Sequence, residues 1–133
     1  MHGKFATAIS CMDGRVQEPI SKYIKEKFGV DYVDTITEPG PNKILAEVAP
    51  AAKIESIRQR IEISLNKHKS NLIVISGHYD CAGNPVQMET QIKQIGQAKK
   101  YLEKLYPKTK IIGLWVDESW KASELKICPK KPF

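Results

Sequence analysis

The stretch "NLIVISG", residues 71–77, decides the fold class of this chain. Its apolar residues are consecutive, and polar residues bound the run on both sides. A strand with one face in water alternates apolar and polar residues, whereas a strand covered on both faces is apolar throughout. The stretch therefore predicts a strand of a parallel sheet that has helices packed on both faces.

Strand and helix patterns alternate along the rest of the chain. Short apolar or β-branched runs predict three further strands, at residues 4–10, 30–37 and 110–117. Apolar residues at helical spacing predict three helices, at residues 20–28, 54–65 and 88–105. Two prolines that flank a glycine predict a loop at "EPGPNK", residues 38–43. No element is predicted for the last 15 residues.

This order of elements predicts an α/β fold with a mostly parallel β-sheet flanked by helices. We expect residues 1–133 to form a single domain, since the length suits one hydrophobic core. A composition of 41% hydrophobic and 27% charged residues is typical of globular chains and argues against disorder.

Charge and segment composition bear on partners and location. The net charge is +6, but the lysines are mixed with glutamates, as on the solvated faces of helices, and this pattern argues against nucleic acid as a partner. No apolar run approaches the roughly 20 residues of a membrane helix. The N-terminal residues lack the three-part layout of a signal peptide. We therefore expect a cytoplasmic protein with no membrane association.

Two predicted loops carry reactive side chains at the ends of strands. "SCMDGR", residues 10–15, follows the first strand, and "SGHYDCAGNP", residues 76–85, follows the third. Because the carboxyl ends of parallel strands meet at one edge of a sheet, we expect Cys11, His78 and Cys81 to lie close together. Two thiolates and an imidazole are ligands that suit zinc, and a set of three leaves a fourth position open. Asp13 could fill that position.

Each of these residues also has a simpler interpretation. A cysteine at a strand end is often a small buried hydrophobe, and Cys11 could be one. Asp13 and Arg15 could form a surface ion pair, and Asp80 could cap the following helix. Thiol redox chemistry between Cys11 and Cys81 is disfavoured, because the chain has no C-x-x-C motif.

Three other residues that could bind metal are predicted to lie outside the site. Cys128 stands in a basic tail with no reactive neighbours, and His2 and His68 have no matching partner in either loop. The odd number of cysteines also argues against a disulfide framework.

The two loops together resemble a known family. "CMDGR" is similar to the C-x-D-x-R motif of the β-class carbonic anhydrases, and "GHYDC" is similar to their H-x-x-C motif. The motifs occur in the same order and in the same strand–loop–helix context, and the resemblance covers about residues 4–106. It implies that Cys11, His78 and Cys81 bind Zn²⁺.

The resemblance also implies a function. It is the reversible hydration of carbon dioxide to bicarbonate by a zinc-bound hydroxide, with Asp13 and Arg15 as the catalytic pair. Asp13 would accept a hydrogen bond from the hydroxide, and Arg15 would keep Asp13 ionised and away from the zinc. If the segment stays extended, alternation puts Cys11, Asp13 and Arg15 on one side of it. A homodimer or larger homo-oligomer is implied as well.

Two other functions stay open at this point. A zinc hydrolase acting on carbonyl sulfide or carbon disulfide would share the metal site and differ in the pocket. A non-catalytic zinc protein would keep the site closed with Asp13 as the fourth ligand. The sequence does not assign the residues that line a substrate pocket.

Overall fold

The computed structural model describes residues 3–126, in which strands and helices alternate as the sequence predicts. The elements are β1 (Phe5–Cys11), α1 (Gly14–Phe28), β2 (Tyr32–Glu38), α2 (Pro41–Glu47), α3 (Ala51–Lys67), β3 (Leu72–His78), α4 (Met88–Leu105), β4 (Lys110–Val116) and β5 (Ala122–Leu125).

The strands form one sheet in the order β2-β1-β3-β4-β5. Neighbours among the first four strands are parallel, and β5 pairs with β4 in the antiparallel sense. The predicted α/β fold with a mostly parallel sheet is therefore confirmed. β3 occupies the centre, where all seven of its residues are buried.

Two apolar layers cover the faces of the sheet, and β3 contributes to both. Ile73 and Ile75 pack in the layer that also contains residues of α2, α3 and α4. Leu72 and Val74 pack in the opposite layer, against residues of α1. Successive side chains of a strand point to opposite faces, so both faces need apolar residues here. This requirement explains the unbroken apolar run "LIVI".

Two parts of the fold differ from the sequence-based expectation. The loop predicted at residues 38–43 is wrong from Pro41 onward, because Pro41 begins α2. Proline suits the first position of a helix, where its missing N–H has no intrahelical partner, so it can begin a helix as well as interrupt one. β5 lies within the last 15 residues, for which no element was predicted.

Several expectations concern the ends of the chain. Cys128 and His2 lie outside the described residues.

In residues 3–126, no helix combines the length and the apolar character needed to cross a membrane.

Candidate metal centre

The three predicted metal-binding residues come together at one edge of the sheet. Cys11 ends β1, His78 ends β3, and Cys81 follows in the loop after β3. β1 and β3 are parallel neighbours, so their carboxyl ends are adjacent. One potential ligand atom from each residue lies within 4.8 Å of the others, which is close enough to hold one metal ion. The two Sγ atoms are 3.8 Å apart.

The imidazole of His78 is oriented as a metal ligand would be. Its Nδ1 lies 2.8 Å from the carbonyl oxygen of Tyr79, which makes Nδ1 the protonated nitrogen of the neutral ring. Its Nε2 is buried and has no hydrogen-bond partner among the described residues. Burying such an atom without a partner is costly, and a bound cation would satisfy its lone pair. The donor set therefore fits zinc in both chemistry and orientation.

The two thiols perturb each other. A hydrogen bond from Cys81 lowers the pKa of the Cys11 thiol. The pKa of Cys81 is raised, first because its thiol donates to Cys11 and then because it is buried. In the absence of a cation the pair thus favours one thiolate and one thiol. A cation would favour the loss of the second proton as well.

Backbone groups near the two sulfurs also favour the thiolate forms. The backbone of Gly40 lowers the pKa of the Cys11 thiol, and the backbone of Asn84 and Gly83 partly offsets the larger effects that raise the pKa of Cys81. Gly40 has φ +59°, and a Cβ at this position would lie 2.7 Å from the Cβ of Asn84. A side chain at residue 40 is therefore excluded by both backbone conformation and space. The only sign in the sequence that Gly40 approaches Asn84 so closely is indirect, a glycine between two prolines.

A buried glutamine fixes the backbone of His78. Gln91 of α4 donates through Nε2 to the carbonyl oxygen of His78 at 2.8 Å. Its Oε1 accepts from the amide of His78 and from Nδ2 of Asn42, each at 3.2 Å. Sequence reasoning missed Gln91 and Asn42. The available signal was the position of Gln91, four residues before Ile95, on the buried face of the helix.

Asp13 and Arg15 meet through a helix cap rather than along an extended strand. Asp13 is the N-cap of α1, and its Oδ1 accepts from the backbone amide of Arg15 at 2.8 Å. The guanidinium also contacts the carboxylate, with Nη2 2.6 Å from Oδ2 and Nε 3.0 Å from Oδ1. The segment does not stay extended, because α1 begins at Gly14, so the condition for an alternating arrangement of these residues is not met. The hydrogen bonds from Arg15 lower the pKa of Asp13 to about 2, so Asp13 is ionised at neutral pH.

Arg15 also joins the two loops. It donates to the carbonyl oxygen of Asp80 at 3.1 Å and lies 3.4 Å from the Asp80 carboxylate. The alternative that Asp80 caps the next helix is wrong, because α4 begins at Met88 and its N-cap is Gln87. Asp80 instead helps to hold Arg15 beside Asp13.

His68 lies away from the metal centre, as expected, but it is not without contacts. It follows the last residue of α3, stacks on Phe5 at the start of β1 and contacts the Asp34 carboxylate at 2.6 Å. These residues lie at the amino edge of the sheet, opposite the edge that carries Cys11 and His78.

A cavity of about 680 Å³ lies beside the second loop. Tyr79, Val86 and Met88 contribute apolar side chains to it, and all three are exposed in the single chain. Exposed apolar residues next to a reactive site suggest either a substrate path or a surface covered by another chain.

Comparison with solved structures identifies the class of protein that has this fold. The β-carbonic anhydrase CafA of the fungus Aspergillus fumigatus aligns over 98% of this chain and 78% of its own, with a TM-score of 0.62 and 16% identity. The β-carbonic anhydrase isoform I from the protozoan Trichomonas vaginalis aligns over 89% of this chain and 80% of its own, with a TM-score of 0.59 and 18% identity. A tetrameric β-carbonic anhydrase from the fungus Sordaria macrospora aligns over 93% of this chain and 81% of its own, with a TM-score of 0.60 and 15% identity.

At these identities the similarity establishes the fold alone. The family follows from the sequence, because a family model described as "Putative carbonic anhydrase" matches residues 1–126. The chain belongs to this family, and the resemblance drawn from the two motifs is confirmed. No curated protein matches the sequence.

Proposed function

We propose that this protein catalyses the zinc-dependent, reversible hydration of carbon dioxide to bicarbonate. The observation that carries the proposal is a buried set of two thiols and one imidazole, with ligand atoms within 4.8 Å, at the strand ends of a carbonic anhydrase fold. Cys11, His78 and Cys81 would hold the zinc. Asp13 would accept a hydrogen bond at the site, and Arg15 would keep Asp13 ionised.

The three protein ligands leave the fourth coordination position of a zinc ion open. Tetrahedral zinc takes four ligands, and catalytic sites supply three of them from the protein. Both oxygens of Asp13 contact Arg15, so the carboxylate is already engaged and the three-residue set stands without it. Zinc held by these three residues would lower the pKa of a water molecule towards neutrality.

Asp13 supplies a hydrogen-bond acceptor beside the metal centre. It is two residues from Cys11, and the low pKa that Arg15 gives it keeps the carboxylate ionised over the whole neutral range. An ionised carboxylate can accept a hydrogen bond and orient the group that donates it. Arg15 fixes the direction in which that carboxylate faces through three side-chain hydrogen bonds.

We propose a homodimer as the minimal assembly. One of the similar structures is tetrameric. In this chain β2 is an edge strand, and its first residue, Tyr32, is exposed. An uncovered edge strand and the apolar residues beside the second loop are both surfaces that a second copy could bury. A sedimentation measurement that shows only monomer at micromolar concentration would contradict this assembly.

The cytoplasmic location stays a prediction.

The experiment compares carbon dioxide hydration by zinc-loaded wild type, Cys81→Ser and Cys128→Ser in a stopped-flow instrument, from about pH 6.5 to 9. Cys128→Ser is the matched control, since Cys128 is predicted to take no part in the site. We expect one zinc per chain and catalysis in wild type and the control, and loss of both in Cys81→Ser. A protein with one zinc per chain and no hydration would refute the activity. Carbonyl sulfide, carbon disulfide and a non-catalytic role would then be tested in turn.

A further inference from the structure

The turn between β4 and β5 places an aromatic ring against the arginine of the candidate site. The ring of Trp120 lies 4.3 Å from the guanidinium carbon of Arg15, within the range of a cation–π interaction. Trp120 also lies near the second loop, with ring centroids 6.5 Å from His78 and 6.4 Å from Tyr79. Neither sequence motif includes Trp120, and the proposed function has so far assigned it no role.

Arg15 needs support of this kind. Its side chain is 45% exposed, against 18% for Asp13. Ion pairs that are open to water are weak and mobile, because solvent screens the charges and long side chains lose entropy on ordering. Asp13 and Asp80 contact the edge of the guanidinium through hydrogen bonds. The guanidinium carbon also lies over the Trp120 ring, and this contact restricts the motion that the hydrogen bonds leave open.

The backbone of the turn is built to present this ring. Trp120 has φ +58°, a left-handed conformation that is unusual for a bulky residue. The carboxylate of Asp117 accepts from the amides of Ser119 and Lys121, at 2.9 and 3.0 Å, and the carbonyl of Asp117 accepts from the amide of Trp120 at 2.9 Å. Glycine would adopt this conformation without strain, so a tryptophan here indicates a use for the side chain.

We propose that Trp120 is a positioning residue that holds Arg15 in its two-oxygen contact with Asp13. The inference rests on the proposed function for its catalytic consequence, whereas the contact between Trp120 and Arg15 can be tested without any activity. Trp120 acts through Arg15.

The variant Trp120→Gly removes the indole ring and keeps the backbone of the turn, since glycine suits the left-handed conformation of residue 120. Lys69→Gly is the matched control, because Lys69 is exposed and has φ +59° in the connection between α3 and β3, at the amino edge of the sheet. Trp120→Phe keeps a smaller aromatic face. All are compared with wild type by thermal unfolding, zinc content, carbon dioxide hydration and the nuclear magnetic resonance signal of the Arg15 Nε–H.

In zinc-loaded wild type and Lys69→Gly we expect a sharp Arg15 Nε–H signal that is protected from exchange with water. In Trp120→Gly we expect zinc binding to persist, the signal to exchange rapidly, and kcat/KM to fall about tenfold or more. Trp120→Phe should restore both in part. An unchanged Arg15 signal in Trp120→Gly would overturn the inference.

Two further results keep the test decisive. If Trp120→Gly does not fold, the wild-type protein still reports on the contact, because an indole ring at this distance shifts the resonances of the Arg15 side-chain protons upfield. Unshifted resonances would overturn the inference. If zinc-loaded wild type lacks hydration activity, the proposed function fails, and the exchange of the Arg15 signal alone decides the role of Trp120.

Discussion

Replacing Gln91 with leucine should weaken both the fold and the metal centre. The side chain of Gln91 is buried at 2% exposure and makes three hydrogen bonds, two of them to the backbone of His78. Leucine has a similar volume and keeps the helix-forming character of the position. The substitution therefore removes the hydrogen bonds with little change in packing.

The expected magnitude follows from the groups that are left without partners. The amide and carbonyl of His78 and Nδ2 of Asn42 each lose a hydrogen bond to Gln91. A buried polar group without a partner costs about 1–3 kcal/mol, and a buried leucine recovers part of the sum through its apolar surface. We expect the free energy of unfolding to fall by about 2–4 kcal/mol. Because His78 is a proposed ligand, zinc affinity should fall about 10–100-fold.

The assay is urea unfolding of the metal-free protein, followed by competition with a chelator for zinc. Gln97→Leu is the matched control, because Gln97 lies on the same helix and is exposed. The control should stay within about 0.5 kcal/mol of wild type and keep its zinc affinity. If Gln91→Leu behaves like Gln97→Leu in both measurements, the role assigned to Gln91 is refuted.

Two other predictions concern backbone space and burial. Gly40→Ala should lower the urea midpoint and the zinc affinity more than the control Gly29→Ala does. Both glycines have a left-handed backbone, but only a Cβ at residue 40 would clash, at 2.7 Å from the Cβ of Asn84. Equal effects of the two substitutions would contradict this clash. Burial and then the contact with Glu62 raise the pKa of Tyr106 to about 12. This pKa exceeds the value of about 10 that tyrosine has in the unfolded chain. Protonated Tyr106 therefore contributes to the free energy of unfolding in full below pH 10, and this contribution is lost as pH rises through 12. The phenolate absorbance lost in Tyr106→Phe should show that midpoint, and a midpoint near 10 would contradict it.

The parts of the structure that the sequence predicts are those with local signals. The consecutive apolar residues of β3 indicate a strand covered on both faces, and its central place in the sheet bears this out. Cys11 and His78 stand at the ends of predicted strands, so their proximity follows once the strands are parallel neighbours.

The parts that were missed depend on contacts between distant residues. Gln91 is one of several polar residues on an amphipathic helix, and only the packed fold shows that it reaches His78. Trp120 meets Arg15 across more than a hundred residues of chain, through a turn in a region where the sequence predicts no element. Pro41 is ambiguous, since proline marks both loops and helix starts.

We expect the zinc-loaded protein to hydrate carbon dioxide. Exchange of a heavy oxygen isotope between carbon dioxide and water, followed by mass spectrometry at chemical equilibrium, detects the interconversion with bicarbonate without coupled reagents. Wild type with one zinc per chain should accelerate the exchange well above the uncatalysed rate, and Cys81→Ser should not. Exchange at the uncatalysed rate in zinc-loaded wild type would refute the proposed activity.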